Sequence, residues 1–194
     1  MEKMNNTQAN NKQKPMSPVA FYFMRIIMNL KKYFRRIEEE ISLAGIEKGL
    51  YVLDFGCGLG FNSIPAAKAV GKEGRVFALD ISEESIKIMK KKIAQNKLTN
   101  VELIHSGLET GLEDKSIDLV YLHNTLPMVR DKQKVLKEIT RVIKTGGTLS
   151  YMSRRGSRTF GEDTLSDTQI KDILSSDFNL KTEQNGHMIF EKIS

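Results

Sequence analysis

Apolar residues along the chain recur at two spacings, one typical of buried strands and the other of amphipathic helices. Short apolar runs bounded by polar residues predict five strands, at residues 50–53, 76–79, 101–105, 117–122 and 148–152. Apolar residues three or four positions apart predict intervening helices at residues 62–70, 82–96 and 132–143, the last ended by Gly146-Gly147. Alternation of strands and helices is typical of a doubly wound parallel sheet.

The carboxyl-terminal part departs from this alternation. After a helix predicted at residues 167–175, two apolar-bearing runs at 178–183 and 187–192 flank Asn185-Gly186. Asn-Gly between two such runs is the strongest short-range signal for a β-hairpin, because both residues accept positive φ. The sequence therefore predicts an α/β fold: a Rossmann-like, doubly wound, seven-stranded and mostly parallel sheet with a C-terminal antiparallel hairpin.

The amino-terminal part divides into two further segments. Residues 1–18 are rich in Asn, Gln and Lys and lack apolar periodicity, which predicts a disordered tail. Residues 19–44 carry apolar residues at helical steps, which predicts an amphipathic N-terminal helix with Gly45 as its stop. This helix could pack on the sheet, act as a lid over a substrate pocket, or anchor the chain to a membrane surface. The α/β domain is predicted to span residues 45–194.

The densest chemical signal lies in residues 51–60, where a predicted strand ends in Asp54 and runs into a glycine-rich turn. The three glycines stand on alternate positions: Gly56, Gly58 and Gly60. A turn of this kind that feeds a helix brings backbone N–H groups to one point, and glycine lets a ligand approach the backbone closely. Asp80 closes the next strand 20 residues after the last glycine, where an acid can reach the ribose hydroxyls of a nucleotide.

The charge of the chain is +6 and is concentrated at the amino terminus. Residues 1–48 hold nine Lys and Arg against five Asp and Glu, whereas residues 49–194 hold 21 against 19. This bias falls short of the dense basic face of a dedicated nucleic-acid binder, so a nucleic-acid partner is not expected.

The cysteine content and the apolar runs bear on location. One cysteine excludes an internal disulfide and a cysteine-built metal site, and it favours a reducing compartment, so we predict a cytoplasmic protein. The longest apolar cluster is interrupted by Arg25 and Asn29, so no transmembrane segment is expected, although peripheral membrane contact stays open. No histidine–carboxylate cluster has metal-ligand spacing, and no metal is predicted.

Four motifs in order resemble the class I S-adenosylmethionine-dependent methyltransferases. They are Val-Leu-Asp-Phe-Gly-Cys-Gly-Leu-Gly at 52–60, Ala-Leu-Asp-Ile-Ser at 78–82, Ser-Ile-Asp-Leu-Val-Tyr at 116–121 and Arg-Val-Ile-Lys-Thr-Gly-Gly-Thr-Leu at 141–149. The resemblance covers about residues 45–194 and is greatest to small-molecule methyltransferases of the quinone-biosynthesis type. It implies S-adenosylmethionine as cofactor, S-adenosylhomocysteine as product, and in-line transfer of a methyl group to a small molecule.

The resemblance also implies roles for individual residues. Asp54 would lie near the ammonium group of the cofactor, Asp80 would bond both ribose hydroxyls, and Ile81 would pack on the adenine. The other cofactor-binding residues that it implies are Gly56, Cys57, Gly58, Gly60 and Asn62 around the methionine part, Gly107, Leu108 and Glu109 at the adenine edge, and His123 and Asn124 near the sulfonium.

Several questions stay open from the sequence. Gly107 stands where many relatives carry an acid that bonds the adenine amino group, so this contact is expected to be weaker or to move to the backbone. His123 is a candidate general base or a pocket wall, and Arg154 and Arg155 belong to a solvated loop or a clamp for a substrate anion. Two other functions compete: an RNA- or ribosome-associated methyltransferase, and an S-adenosylmethionine-binding protein without transfer activity. The acceptor and the oligomeric state are not predicted.

Overall fold

The computed structural model describes residues 39, 41–153, 165–184 and 186–193. Within these residues the strands are β1 (Tyr51–Phe55), β2 (Arg75–Asp80), β3 (Val101–His105), β4 (Ile117–His123), β5 (Ile143–Met152), β6 (Phe178–Gln184) and β7 (His187–Lys192). The helices are α1 (Ser63–Val70), α2 (Glu83–Gln95), α3 (Lys132–Val142) and α4 (Asp167–Leu174), with a 3₁₀ turn at Leu126–Met128.

The strands form one seven-stranded sheet in the order β3-β2-β1-β4-β5-β7-β6. Strands β1 to β5 run parallel, whereas β7 pairs antiparallel with both β5 and β6. Gln184 pairs with His187, so the hairpin has the two-residue loop that Asn-Gly predicts, and Gly186 has φ +76°. The predicted fold class is confirmed.

Helices cover both faces of the sheet. The side chains of a strand alternate between the two faces, and apolar residues on both of them pack against helices. Leu53 and Phe55 of β1 pack in the layer that contains α3 and α4. Val52 points to the other face, where it packs with Ala66 and Val70 of α1. Asp54 shares the face of Val52, and this alternation places its carboxylate beside the start of α1.

Gly45 ends a helical segment, as predicted. Its N–H donates to the carbonyl of Ser42 (3.1 Å), the N–H of Ile46 donates to the carbonyl of Ile41 (3.1 Å), and Gly45 has φ +69°. This pair of bonds around a left-handed glycine is a Schellman motif. The predicted tail (1–18), almost all of the predicted helix 19–44, and the loop with Arg154 and Arg155 lie outside the described residues.

The expectation that Gly146-Gly147 ends the third helix is wrong. Helix α3 ends at Val142, and Ile143 already pairs with Ile117 of β4. The register then shifts, because the next pair joins Leu119 to Thr148. Residues 144–147 therefore lie opposite the single residue Asp118, and β5 has an irregular bulge that includes both glycines, with Gly146 at φ +79°.

Within the part of the chain that the structure describes, no helix is both long enough and apolar enough to cross a membrane.

Candidate functional site

The glycine-rich turn is fastened to the neighbouring strand by its own backbone. The N–H groups of Gly56 and Cys57 both donate to the carbonyl of Leu79 in β2, each at 2.8 Å. Gly56 has φ +83°, and a Cβ there would lie 2.9 Å from the Cβ of Thr125 and closer still to the hydroxyl and methyl of that residue. Only glycine fits between β1 and the residues that follow β4, so the turn passes close to the tip of β4.

Asp80 joins the glycine-rich turn to the start of α2. One carboxylate oxygen accepts from the N–H of Gly58 and the other from the N–H of Ser82, each at 2.8 Å. Ser82 caps α2 through its side chain, which accepts from the N–H of Ser85. A carboxylate oxygen has two lone pairs, so each oxygen of Asp80 can accept a further hydrogen bond from a ligand hydroxyl.

Asp54 is a buried carboxylate at the end of β1. It accepts from the hydroxyl of Ser63 at 2.5 Å and from the side chain of Asn62. Burial raises its pKa to about 6, an effect that these hydrogen bonds only partly oppose. Because burial raises the pKa of Asp54 from 3.8 to about 6, ionisation of this carboxyl lowers the free energy of unfolding as the pH rises between these two values. A cation bound beside it would recover that cost.

A cavity of about 1050 Å³ opens at this edge of the sheet. The predicted site residues in its wall are Gly56, Gly58, Asp80, Ile81, Gly107, Leu108 and Glu109. They come from the turn after β1, the tip of β2 and the loop after β3, which meet because parallel strands bring their carboxyl ends to one edge. Cavities of 300 to 1000 Å³ are typical of small-molecule sites.

The other predicted site residues are not part of the cavity wall that the described residues form. Asn62 and His123 join Asp54 in a group behind the turn, with Nδ2 of Asn62 3.4 Å from Nδ1 of His123. Asn124 adopts φ +57°, and its N–H donates to the carbonyl of Met152 at 2.7 Å. A left-handed asparagine at the tip of a strand marks a constrained backbone of the kind found at functional sites.

The remaining two predicted site residues, Cys57 and Gly60, take part in packing. Cys57 is buried, and burial raises the pKa of its thiol, so it is a protonated apolar residue rather than a nucleophile. A Cβ at Gly60 would contact the sulfur of Met89, so this glycine allows α2 to pack against the turn.

One wall of the cavity was not predicted from the sequence. It consists of the segment after β4 and the first turn of α3, namely Thr125, Met128, Val129, Arg130, Asp131 and Val135. The available signal was Pro127, four residues after the end of β4, which indicates a turn at the edge where ligands bind.

Gly107 lies against the side chain of Ile81. A Cβ on this glycine would lie 2.8 Å from Cδ1 of Ile81 and 3.3 Å from its Cγ1. The glycine therefore leaves room for Ile81, whose side chain is 73% exposed and lines the cavity. A side chain at position 107 would require the end of the Ile81 side chain to rotate away.

The loop between β3 and β4, which carries Gly107, is fastened to α3 by charged groups. Glu138 accepts from the N–H of Thr110 at 3.0 Å and from its hydroxyl at 2.6 Å. Arg141 donates to Glu138 at 2.8 Å, to Asp114 at 2.5 Å, and to the carbonyl of Leu112 at 2.9 Å. Hydrogen bonds from Arg141 and Thr110 lower the pKa of Glu138 to about 2.

We expect Glu138→Gln to lower the free energy of unfolding by about 2 kcal/mol at neutral pH, because charge-assisted hydrogen bonds to a largely buried carboxylate are lost. Because the pKa of Glu138 is lowered, its contribution to the free energy of unfolding is complete above about pH 5 and is lost as the pH falls towards 2. Urea denaturation at pH 7 and pH 3 measures both effects. Glu113→Gln, at an exposed position of the same loop, is the control. Equal stability of the two variants at pH 7 would contradict the anchoring role.

No group of three or more His, Cys, Asp or Glu side chains in the described ranges could hold a metal ion.

Comparison with known proteins places this arrangement among methyl-transferring enzymes. The family model described as "Methyltransferase domain" matches residues 46–192. Demethylmenaquinone methyltransferase from Listeria monocytogenes serotype 4a (strain HCC23) is 38% identical over 128 residues, which are 66% of this chain and 54% of that protein. The enzyme of the same name from Geobacillus kaustophilus (strain HTA426) is 33% identical over 139 residues, 71% of this chain and 59% of that protein. The chain therefore spans little more than half the length of these curated relatives.

Solved structures have the same fold. A SAM-dependent methyltransferase from Aquifex aeolicus has a TM-score of 0.72 at 26% identity and covers 81% of this chain and 89% of that one. An arsenic(III) S-adenosylmethionine methyltransferase from Chlamydomonas reinhardtii has a TM-score of 0.60 at 25% identity, with 78% of this chain and 65% of that one covered.

Proposed function

The chain belongs to the class I S-adenosylmethionine-dependent methyltransferases, and we propose that it methylates a small apolar ring compound of the demethylmenaquinone type. The observation that carries the proposal is the cavity beside Asp80, which has two exposed apolar side chains in its wall. Ile81 is 73% exposed and Met128 is 60% exposed, and both line it. Apolar groups exposed at the mouth of a cavity fit an apolar ligand. The names of the curated relatives supply the acceptor class.

The residues fit the cofactor at three points. Each oxygen of Asp80 has a lone pair left for a ribose hydroxyl, and the carboxylate is already held by two backbone N–H groups. Ile81 lies against Gly107, and these two residues with Leu108 and Glu109 would hold the adenine between an apolar side chain and the loop after β3. Asp54, buried behind the turn, would give a negative charge for the ammonium group, with Gly56 and Gly58 of the cavity wall beside the methionine part.

The bound cofactor supplies an electrophilic methyl group on a sulfonium. The work of the chain is to align the acceptor with that methyl and to exclude water. The described residue after β4 that lines the cavity and would border the reacting atoms is Thr125, with His123 and Asn124 of the β4 tip behind it. A neutral quinol that takes a methyl group from a sulfonium must also lose a proton, to a side chain or to water.

Binding of S-adenosylmethionine should depend on the ionisation of Asp54. With a pKa of about 6, the buried carboxylate is largely protonated at pH 5 and must release its proton to hold a cation. We expect the affinity to fall by about tenfold between pH 7.5 and pH 5, as measured by calorimetry, with proton release detected in buffers of different ionisation enthalpy. Asp54→Asn should bind more weakly and lose this pH dependence. A constant affinity over this range would refute the role of Asp54.

The proposed function is tested by methyl transfer itself. The full chain is incubated with S-adenosylmethionine and a short-chain demethylmenaquinone in its reduced form, and both products are followed by mass spectrometry. Methylated quinone formed in step with S-adenosylhomocysteine supports the proposal. Binding of the cofactor without any methylated product would favour the non-catalytic alternative. Methylation of ribosomal RNA in place of the quinone would favour the RNA alternative. A cytoplasmic location stays a prediction.

A further inference from the structure

Both ring nitrogens of His123, the candidate base, are engaged away from the cavity. Nε2 lies 2.8 Å from the hydroxyl of Ser150, and Nδ1 lies 3.4 Å from Nδ2 of Asn62. His123 is buried and is not part of the cavity wall that the described residues form. An acceptor in the cavity therefore does not give its proton directly to this imidazole, and the cavity wall must favour the loss of that proton in another way.

The three acids that the described residues place in the cavity wall are poorly suited to take the proton. Asp80 is held by two backbone N–H groups and would bond the ribose. Asp131 caps α3 through the N–H of Lys134, and this hydrogen bond lowers the pKa of the Asp131 carboxyl, which makes it a weak base. Glu109 lies in the loop after β3, where the adenine would bind. Water is the remaining proton acceptor at the open side of the cavity.

Arg130 is the one basic side chain that the described residues contribute to the cavity wall. It is exposed, and it makes no hydrogen bond or ion pair with another described residue. The charged residues that follow it are engaged: Nζ of Lys132 donates to the carbonyl of Val129 at 3.1 Å, and Asp131 pairs with Nζ of Lys134 at 3.0 Å. The guanidinium of Arg130 is therefore available to a ligand in the cavity.

The backbone that carries Arg130 is fixed on both sides. The N–H of Val129 donates to the carbonyl of Leu126 at 3.1 Å, and the side chain of Asp131 accepts from the N–H of Lys134 at 3.0 Å. Arg130 directly precedes the N-cap of α3, where the helix dipole favours an acid and disfavours a cation. Helix stability therefore does not explain an arginine at this position, whereas an interaction with an anion in the cavity does.

We propose that Arg130 binds a hydroxyl oxygen of the acceptor ring and stabilises it as an anion, an inference that rests on the proposed function. The O–H bond breaks, its electron pair stays on the oxygen, and the proton goes to water. The ring shares the negative charge, which makes the acceptor a better nucleophile towards the methyl group. The guanidinium stays charged throughout, so Arg130 itself takes no proton. Met128 and Val129, which also line the cavity, would contact the apolar ring.

The ionisation of a bound naphthol tests this role without methyl transfer. The probe is 1-naphthol, whose ultraviolet absorbance distinguishes the neutral from the ionised form, bound to the full chain saturated with S-adenosylhomocysteine. In wild type we expect the pKa of bound naphthol to be lower than in water by about one unit or more, because a guanidinium beside the oxygen favours the charged form. Arg130→Gln should abolish this shift, and Arg130→Lys should retain part of it.

Lys137→Gln is the matched control, because Lys137 is an exposed base of the same helix that is not part of the described cavity wall. It should leave the pKa of bound naphthol as in wild type. No shift in wild type, an equal shift in Arg130→Gln, or no binding of naphthol would overturn the proposal. Binding of 1-naphthoate that depends on Arg130, with no shift for naphthol, would assign Arg130 to a carboxylate ligand and would overturn it as well.

The pH dependence of turnover separates anion stabilisation from packing. Under anaerobic conditions, Arg130→Gln should lower kcat by about tenfold at about pH 7 and by much less at about pH 9.5, because a phenolic hydroxyl ionises unaided near pH 10. The affinity for S-adenosylhomocysteine should stay within about twofold of wild type. No loss of kcat, or an equal loss at both pH values, would overturn the proposal. If wild type transfers no methyl group, the proposed function fails, and the naphthol titration still decides the role of Arg130.

Discussion

Replacing Asp80 with alanine should weaken the binding of S-adenosylhomocysteine by at least a hundredfold. Two hydrogen bonds from ribose hydroxyls to a carboxylate are lost, each worth about 1.5–3 kcal/mol. The N–H groups of Gly58 and Ser82, both held by Asp80 at 2.8 Å, lose their acceptor as well. The turn after β1 and the start of α2 are then no longer joined. Calorimetric titration of the purified variants measures the change.

The controls for this substitution separate charge from shape. Asp80→Asn keeps the size of the side chain but loses one acceptor oxygen, so its affinity should lie between those of wild type and Asp80→Ala. Asp172→Ala removes an exposed acid on α4 and should leave the affinity unchanged. If Asp80→Ala binds within threefold of wild type, the ribose does not lie at the tip of β2.

Gly56→Ala should lower the free energy of unfolding by about 3 kcal/mol or more and abolish cofactor binding. A non-glycine residue in the left-handed region costs about 1–2 kcal/mol, and Gly56 has φ +83°. The added methyl group also lies 2.9 Å from Cβ of Thr125, whose backbone is fixed directly after β4. Relief of this clash must move the turn away from the tip of β4. Urea denaturation gives the stability, and calorimetry gives the binding.

Another glycine of the chain isolates the two causes of this loss. Gly146 has φ +79°, and a Cβ there would meet no atom within 4 Å. Gly146→Ala should therefore show the backbone cost alone, and the difference between the two variants is the cost of the contact with Thr125. Thr125→Gly should recover part of the stability of Gly56→Ala. If Gly56→Ala is no less stable than Gly146→Ala, the turn and the tip of β4 are not tightly packed.

The sequence predicted the features that depend on local patterns. The period of two in β1 determines which face Asp54 points to, and Asn-Gly determined the two-residue hairpin loop before His187. The acid at the end of each of the first two strands marked the edge where the cavity opens. Each of these signals lies within a few consecutive residues, and for that reason it can be seen without tertiary contacts.

The features that the sequence did not predict depend on strand order and register. Ser150 lies in an apolar stretch of the sequence. Its hydroxyl contacts two histidines only because β5 pairs with both β4 and β7. The bulge at Gly146-Gly147 depends on where Ile143 pairs with β4, and helical periodicity carries no information on that pairing. The cavity wall after β4 faces Gly107 only once the sheet has formed.

The central claim is that the cavity at Asp80 binds S-adenosylmethionine and its product in preference to other nucleotides. Calorimetric titration of the full wild-type chain with S-adenosylhomocysteine, followed by the same titration in the presence of NAD, tests it most directly. We predict a Kd in the micromolar range for S-adenosylhomocysteine that excess NAD does not change. Binding of NAD that displaces S-adenosylhomocysteine, or no binding of either S-adenosylhomocysteine or S-adenosylmethionine, would contradict the claim.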